Sequence, residues 1–340
     1  MKEANNYKKT KLKMALRVIG VILLICLAIA EIAWAKNVAS SSALSKGDPW
    51  WMWPAILFVF TFTIGLIAPV SGVGGGVLFV PITTAFFPFS VDFIRGTGLV
   101  MAMCSAISST PTLAKKGLAS LKVMAPVVVV SMAFSIIGGI VGLWITNAFP
   151  TGKYYIDIAL GIILWFIFYV MLTSKKVEFP EVTHIDNFSR KLGMKGEWYE
   201  PNLDEVVEYH TTRFFAGVPT FALVGFIAGM FGLGAGWANV PVLNLIMGAP
   251  IKVATSTSMM IITLNDAAAA WVYLSKGAML PLIVVPSVVG ISIGARIGAK
   301  LAVKAKPKVV RYLVMAIMLG AGILDIIKGL GGLHIIPKIL

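Results

Sequence analysis

Charged residues are scarce in this 340-residue chain. Asp, Glu, Lys and Arg make up 13% of it, whereas a soluble domain carries about 25%. The hydrophobic residues, 58% of the total, come in long runs rather than at the spacing of an amphipathic helix or strand. A helix needs roughly 20 apolar residues to cross the bilayer core. The sequence therefore excludes a soluble protein and predicts an all-α, polytopic transmembrane helical bundle.

Acidic residues are especially few, with 15 Asp and Glu against 29 Lys and Arg. The basic residues lie mainly between the apolar runs, where a membrane protein places them on the cytoplasmic side. This interpretation excludes a nucleic-acid partner and leaves membrane lipid as the surroundings. We expect a multi-pass protein of the bacterial cytoplasmic (inner) membrane.

Cysteine and histidine are nearly absent. Cys26 and Cys104 form neither a CxxC motif nor a disulfide framework. His184, His210 and His334 lack the spacing of a metal site, so no metal and no cofactor are expected. No nucleotide-binding P-loop is present either. Any driving force must come from an ion gradient, the membrane potential or the substrate's own gradient.

Composition divides the chain into five segments. The first holds a basic arm, an apolar stretch ending near an A-x-A sequence, and a short polar loop. We interpret that stretch as an uncleaved transmembrane helix, with a cleavable signal peptide as the alternative. A hydrophilic segment then separates two transmembrane repeats. The five segments are 1–52, the first repeat 53–173, the hydrophilic loop 174–212, the second repeat 213–328 and the C-terminal tail 329–340.

An internal repeat is the strongest feature of the sequence. GVGGGVLFVP (72–81) matches GLGAGWANVP (232–241) at an offset of 160 residues. The same offset aligns Thr97 with Thr257, Pro126 with Pro286, and two Lys-Gly pairs (116–117 and 276–277). A constant offset over this length indicates an ancient duplication.

Each glycine cluster precedes a short apolar segment, 76–89 or 236–249. Glycine clusters interrupt helices, and the next helix start then offers free N–H groups and a positive dipole end to an anion. Paired broken helices in duplicated halves are typical of secondary transporters, although membrane glycines also serve close helix packing. If both short segments cross the membrane, the halves are inverted, which we favour. The glycines predicted to bind substrate are Gly72, Gly74, Gly75, Gly76, Gly232, Gly234 and Gly236.

With these motifs, the chain resembles the sulfite exporter family TauE/SafE over about residues 53–328. The resemblance rests on the doubled glycine motif ending in Val-Pro, the RGTG (95–98) and ATSTS (254–258) stretches, and the Lys-Gly elements. It implies export of sulfite, a sulfonate such as sulfoacetate, or a related small organic anion.

Polar residues inside predicted spans complete the candidate site, because such groups are costly in lipid and by default functional. Asp266, next to Asn265, could carry a coupling proton or pair with a neighbouring helix. Asn239 offers amide donors to an anion. Arg95 could clamp an oxyanion or snorkel to the interface. The hydroxyl candidates, which could also bond to their own helices, are Thr97, Thr255, Ser256 and Thr257.

Three other functions compete with a secondary anion transporter. An anion channel needs a continuous pore with selectivity elements, and no filter-like repeat is present. A membrane-embedded enzyme needs a catalytic constellation within the spans, and none is seen, so we predict no enzyme. A docking protein that binds a soluble partner through 174–212 is compatible with transport. The sequence does not give the oligomeric state.

Overall fold

The structure is a computed structural model that covers most of the chain. It describes residues 51–71, 74–114, 117–173, 178, 180, 182, 184–200, 204–302 and 307–335. The predicted basic arm and first helix lie outside the described residues, as do the candidate Gly72 and residue Lys116.

The first half is a run of five helices. They are α1 (Met52–Ser71), the short α2 (Gly76–Phe86), α3 (Val91–Ala114), α4 (Leu121–Ala148) and α5 (Gly152–Thr173).

The segment between the halves contains a short helix and a hairpin. Helix α6 (Asn187–Lys191) is followed by the antiparallel strands β1 (Lys195–Glu200) and β2 (Glu205–His210). The segment packs on the second half, since Thr212 donates its N–H to the carbonyl of Met247 (2.9 Å) and Val182 contacts Gly248. The hydrophilic loop is therefore folded against the helices.

The second half repeats the order of the first. Its elements are α7 (Phe214–Phe231), the short α8 (Gly236–Pro241) with the π-helical turn Val242–Ile246 after it, α9 (Ile251–Ser275), α10 (Pro281–Ala302) and α11 (Pro307–Gly332).

The prediction of a polytopic helical membrane protein is confirmed. Seven helices in the described part of the chain are long and apolar enough to cross a membrane: α1, α3, α4, α5, α7, α10 and α11. Helix α9 is as long as they are, at 25 residues, but carries a run of Thr and Ser and the pair Asn265–Asp266. Because polar and ionisable groups inside a span are costly and by default functional, we expect α9 to contribute to a functional site.

Three of the five pairs of matching helices begin at an offset of 160 residues. The pairs of first residues are Gly76 and Gly236, Val91 and Ile251, and Leu121 and Pro281. The glycines that end α3 and α9, Gly117 and Gly277, both have φ of +69°, the left-handed conformation of a helix C-terminus. These shared boundaries support the predicted duplication.

Equivalent helices run in opposite directions. Tyr154, near the start of α5, contacts Gly332 at the end of α11, and Gly161 lies next to Gly322. These two helices are therefore antiparallel.

Helices α3 and α9 are antiparallel as well. Gly96, near the start of α3, packs against Tyr273 near the end of α9. The N–H of Ser120, beyond the end of α3, donates to Thr257 near the start of α9 (3.1 Å). The halves are thus arranged as an inverted repeat.

The short segments carry the chain back across the membrane. Tyr273 donates its hydroxyl to the carbonyl of Gly229 (3.0 Å), which places the ends of α9 and α7 on one side. Met247, shortly before α9, contacts Gly217 near the start of α7 on the other side. Because α7 and α9 run in the same direction, the residues between them make a crossing. The second half therefore traverses the bundle five times in alternating directions.

Candidate functional site

The two glycine motifs meet inside the helical bundle. A β-carbon built on Gly76 would lie 2.8 Å from the carbonyl oxygen of Leu233, in the other motif. The β-carbon of Ala102, in the middle of α3, lies 3.9 Å from the β-carbon position of Gly74 and 2.9 Å from that of Gly234. Gly74 and Gly234, which precede α2 and α8, therefore both lie beside the middle of α3, and we call this meeting of the two motifs the glycine junction.

Gly234 is a tightly constrained position of this junction. Its φ of +75° is one that residues with a side chain rarely adopt, and its β-carbon position is 2.8 Å from Asp266 Oδ2. The backbone therefore approaches the carboxyl group as closely as only glycine allows. By contrast, the nearest atom to the β-carbon position of Gly74 is a flexible methyl of Ile262 at 3.6 Å.

The short helices both begin at this junction. The residues that precede them, Gly75 and Ala235, make no side-chain hydrogen bond to the helix start. The first N–H groups of a helix have no partner within the helix. At Gly76 and Gly236 they are consequently left to other protein groups or to a ligand.

Asp266 is held by one oxygen and free at the other. Ser131 on α4 donates to Asn265 Oδ1 (2.7 Å), and Asn265 Nδ2 donates to Asp266 Oδ1 (2.8 Å). Asp266 Oδ2 is buried without a hydrogen-bond partner and faces Gly234. A buried carboxylate oxygen without a partner is costly, so this atom is a natural position for a proton.

Asn239, on the first turn of α8, is buried with no hydrogen bond from its side chain. Neither Oδ1 nor Nδ2 has a partner. Buried amides in native proteins are nearly always hydrogen-bonded, and those that are not call for a specific explanation. A ligand that accepts from Nδ2 supplies one.

The candidate hydroxyl groups are mostly engaged within the protein. Thr97 donates to the carbonyl of Phe93 (2.7 Å) and Thr255 to that of Ile251 (2.8 Å), each within its own helix. Thr257 accepts from the N–H of Ser120, and Ser256 is buried. A hydroxyl that donates its only proton to a helix carbonyl cannot donate it to an anion. The role of Thr97 and Thr255 in the site stays a prediction, and in this structure both hydroxyls donate within their own helices.

Arg95 makes several contacts within the protein. Its side chain is fully buried, so it does not snorkel. It forms an ion pair with Asp92 and donates to the carbonyls of Met230 (2.9 Å) and Gly142 (3.3 Å). Through its terminal nitrogens Arg95 joins α3 to α4 and α7, while its Nε is buried without a partner, so the oxyanion clamp stays a prediction.

Comparison with known proteins agrees with this architecture. The family model described as "Sulfite exporter TauE/SafE" matches residues 57–324. The chain belongs to this family. It is 27% identical over 216 residues to "Probable membrane transporter protein MJ0441" of Methanocaldococcus jannaschii, covering 62% of this chain and 68% of the relative. It is 26% identical over 223 residues to "Probable membrane transporter protein YunE" of Bacillus subtilis, covering 62% and 74%. No solved structure matches the chain.

Membership of the TauE/SafE family, together with these relatives, makes the chain a multi-pass membrane transporter of a small molecule. The glycine junction, Asn239 and Asp266 all lie within the residues that the family model covers.

Three buried polar residues were missed by the sequence analysis. The Ser105 hydroxyl is buried without a partner, and the offset of 160 aligns Ser105 with Asn265, which could have revealed it. Asp157 and Asp325 are buried in α5 and α11. Like Asp266, both are ionisable groups inside a span, and such groups are by default functional.

Proposed function

We propose that the protein is a secondary transporter that exports sulfite, a sulfonate such as sulfoacetate, or a related small organic anion across the cytoplasmic membrane of a bacterium. The observation that carries the proposal is the junction of two broken helices in the membrane interior, beside an unpartnered buried amide. Free helix N–H groups and an amide Nδ2 are donors, which is the chemistry that a sulfonate or sulfite oxygen requires.

In this proposal the two halves share the binding of the anion. The helix starts at Gly76 and Gly236 supply N–H groups, and Asn239 of the second half adds a side-chain donor. The glycines matter because a side chain would occupy the space between the two motifs. Binding in the interior of an inverted repeat is the arrangement by which secondary transporters present one site to each side in turn.

Asp266 is proposed to couple anion binding to protonation. A negative carboxylate beside an anion site repels the substrate, whereas a protonated carboxyl does not and can donate a hydrogen bond. Anion affinity should therefore rise when Asp266 is protonated. By linkage, the bound anion should raise the affinity of Asp266 for a proton to the same degree.

Basic residues support the orientation needed for export. Lys122, Arg213 and Lys252 lie at the helix ends on the side of the 174–212 segment, and the positive-inside rule makes that side cytoplasmic. The site would then be loaded from the cytoplasm through the end of the bundle where that segment packs.

The test is flux through purified protein in liposomes. Sulfite, sulfoacetate, taurine, sulfate and lactate are each loaded inside, and efflux is followed with and without a pH gradient. We expect saturable efflux of sulfite or sulfoacetate and little efflux of taurine, whose amino group makes it a zwitterion. If none of the anions leaves faster than from anion-loaded liposomes that contain no protein, the proposed substrate class is wrong. If efflux never saturates with concentration, a channel replaces the transporter.

A further inference from the structure

A second buried charge cluster lies far from the glycine junction, between α5 and α11. Asp157 and Asp325 are both buried and act on one another's charge across this helix pair, where Gly161 lies next to Gly322 and Gly329 next to Ile158. Neither Asp325 oxygen has a hydrogen-bond partner, and the same holds for Asp157 Oδ1. Three carboxylate oxygens are thus buried without the hydrogen bonds that native proteins normally provide.

Lys328 is the cation that acts on both aspartates, and its ammonium group is hydrogen-bonded to another helix. Lys328 Nζ donates to the carbonyl of Thr84 near the end of α2 (2.7 Å) and makes no ion pair with either aspartate. The remaining charged groups nearby are Lys153, which is exposed, and Arg95, which is paired with Asp92. Lys153 is exposed to solvent and Arg95 is neutralised by Asp92, so the buried charges left to balance are two carboxylates and one ammonium.

A cavity connects the cluster to one side of the membrane. It has a volume of about 520 Å³ and is lined by Asp157 and Lys328, with Asp92 and Lys153. It lies at the first turns of α5 and the last turns of α11, the end of the bundle opposite the 174–212 segment. By the orientation given above, this end faces the outside of the cell.

We propose that Asp157 and Asp325 form a proton-binding site, which is filled from the outside through this cavity and is mechanically linked to α2 by the Lys328–Thr84 hydrogen bond. One proton shared by the two carboxyl groups neutralises the remaining charge. A metal ion fits poorly, because it needs several oxygen ligands and the neighbouring ammonium group repels it. The link to transport rests on the proposed function, whereas proton binding does not.

The link follows from the position of α2. This helix begins at Gly76 in the glycine junction and ends near Thr84, where Lys328 holds it. Protonation of the aspartates changes the charge that attracts the lysine, so it alters the strength with which α11 holds α2. A proton from outside can in this way change how firmly α2, which borders the anion site, is held in place.

The experiment is infrared spectroscopy of the protein in lipid bilayers, since a protonated carboxyl has a carbonyl stretching band separate from that of a carboxylate. Charge balance predicts the number of protons in each variant. Asp157→Asn or Asp325→Asn leaves one carboxylate with one ammonium, so the band of this site should vanish in either variant. Lys328→Met leaves two carboxylates with no ammonium, so the area of the band should double.

Controls separate this site from other carboxyl groups and from a metal site. Asp204→Asn, in the turn of the exposed hairpin at φ +56°, should leave the spectrum unchanged, because Asn tolerates this backbone conformation. Asp266→Asn should remove a different band. If wild type and Asp325→Asn have identical carboxyl bands at every pH at which both stay folded, or if Na⁺ but not K⁺ removes the band, the proton site is refuted. Because no anion is added, failure of the flux assay leaves this result unaffected.

Discussion

The two halves share a backbone but differ in what they carry on it. At matching positions the first half has Phe79 and Ala106, and the second has Asn239 and Asp266. The attachments of the short helices differ as well. Helix α2 is held to α11 by Lys328, whereas α8 contacts α5 through Trp237 and Phe166, whose ring centroids are 6.4 Å apart.

This difference shows how a duplicated transporter can divide its tasks. The bends, helix starts and helix ends are common to both halves, because both must interrupt a helix in the membrane interior. The polar groups at the junction come almost entirely from the second half. The first half contributes backbone there, and its short helix is tied to a second charged cluster near the membrane surface.

The largest expected effect is at the glycine that approaches Asp266. Gly234→Ala should reduce anion efflux about 100-fold or more, since a misplacement of about 1 Å at a site can cost that much. Gly74→Ala should lose less efflux than Gly234→Ala, because Gly74 shares a positive φ (+87°) but its nearest neighbour, at 3.6 Å, is a flexible side chain. Initial rates of sulfite efflux from liposomes measure both.

Gly277→Ala is the matched control for backbone strain. Its φ of +69° resembles that of Gly234, but nothing lies within 4 Å of the added β-carbon. If Gly277→Ala loses efflux as severely as Gly234→Ala, strain rather than contact with Asp266 explains both results.

Asn239→Leu should separate function from stability. Removing a buried amide that has no partner removes a desolvation cost of about 1–3 kcal/mol, so the thermal midpoint in detergent should stay level or rise. Efflux should fall at least tenfold through a higher KM, because a donor to the anion is lost.

Asn244→Leu provides the opposite case. Asn244 Nδ2 donates to the carbonyl of Ala249 (2.8 Å), so its loss should lower the thermal midpoint while the KM of folded protein stays constant. Equal changes of KM in the two variants would contradict the role assigned to Asn239.

Asp266→Asn should have a moderate effect on rate and a large one on pH dependence. Asn keeps the shape and stays neutral, so it imitates the protonated carboxyl at every pH. Efflux near neutral pH should change only a few-fold, and its dependence on pH should flatten. An unchanged pH profile would assign the coupling proton to another residue.

The smallest expected effect concerns the attachment of α8. Phe166 is exposed to 49%, and an aromatic pair of this kind contributes about 0.5–1.5 kcal/mol beyond its area. Phe166→Ala should therefore lower the thermal midpoint by only a few degrees. Lys328→Met, at the attachment of α2, should alter transport more than Phe166→Ala does.

Much of the architecture follows from the sequence because the repeat has a constant offset. Apolar runs locate the long helices, and glycine clusters locate both bends. The offset then aligns Gly76 with Gly236, and in the structure the two glycine motifs that contain them are in contact. These are features of the backbone, and they depend on apolar runs and glycines, which influence the local conformation of the chain directly.

The partners of polar side chains do not follow in this way. Arg95 donates to carbonyls of Met230 and Gly142, which are 135 and 47 residues away in sequence. Asp157 and Asp325 come together although the offset of 160 does not align them. Which oxygen of Asp266 is bonded depends on Ser131, on another helix. Such contacts are set by packing between helices, for which the sequence contains no periodic pattern.

The glycine-lined helix contacts also determine which parts of the protein can move. Gly290 and Gly294 on α10 lie against the backbone of Phe58 and Phe62 on α1, and α4 makes the same kind of contact with α7 through Gly225 and Gly229. Backbones in such close contact move together, since sliding would require the helices to separate. Each of these pairs joins one helix from each half. A rocking motion of one repeat against the other would break both pairs, so the moving bodies must each combine helices of the two halves.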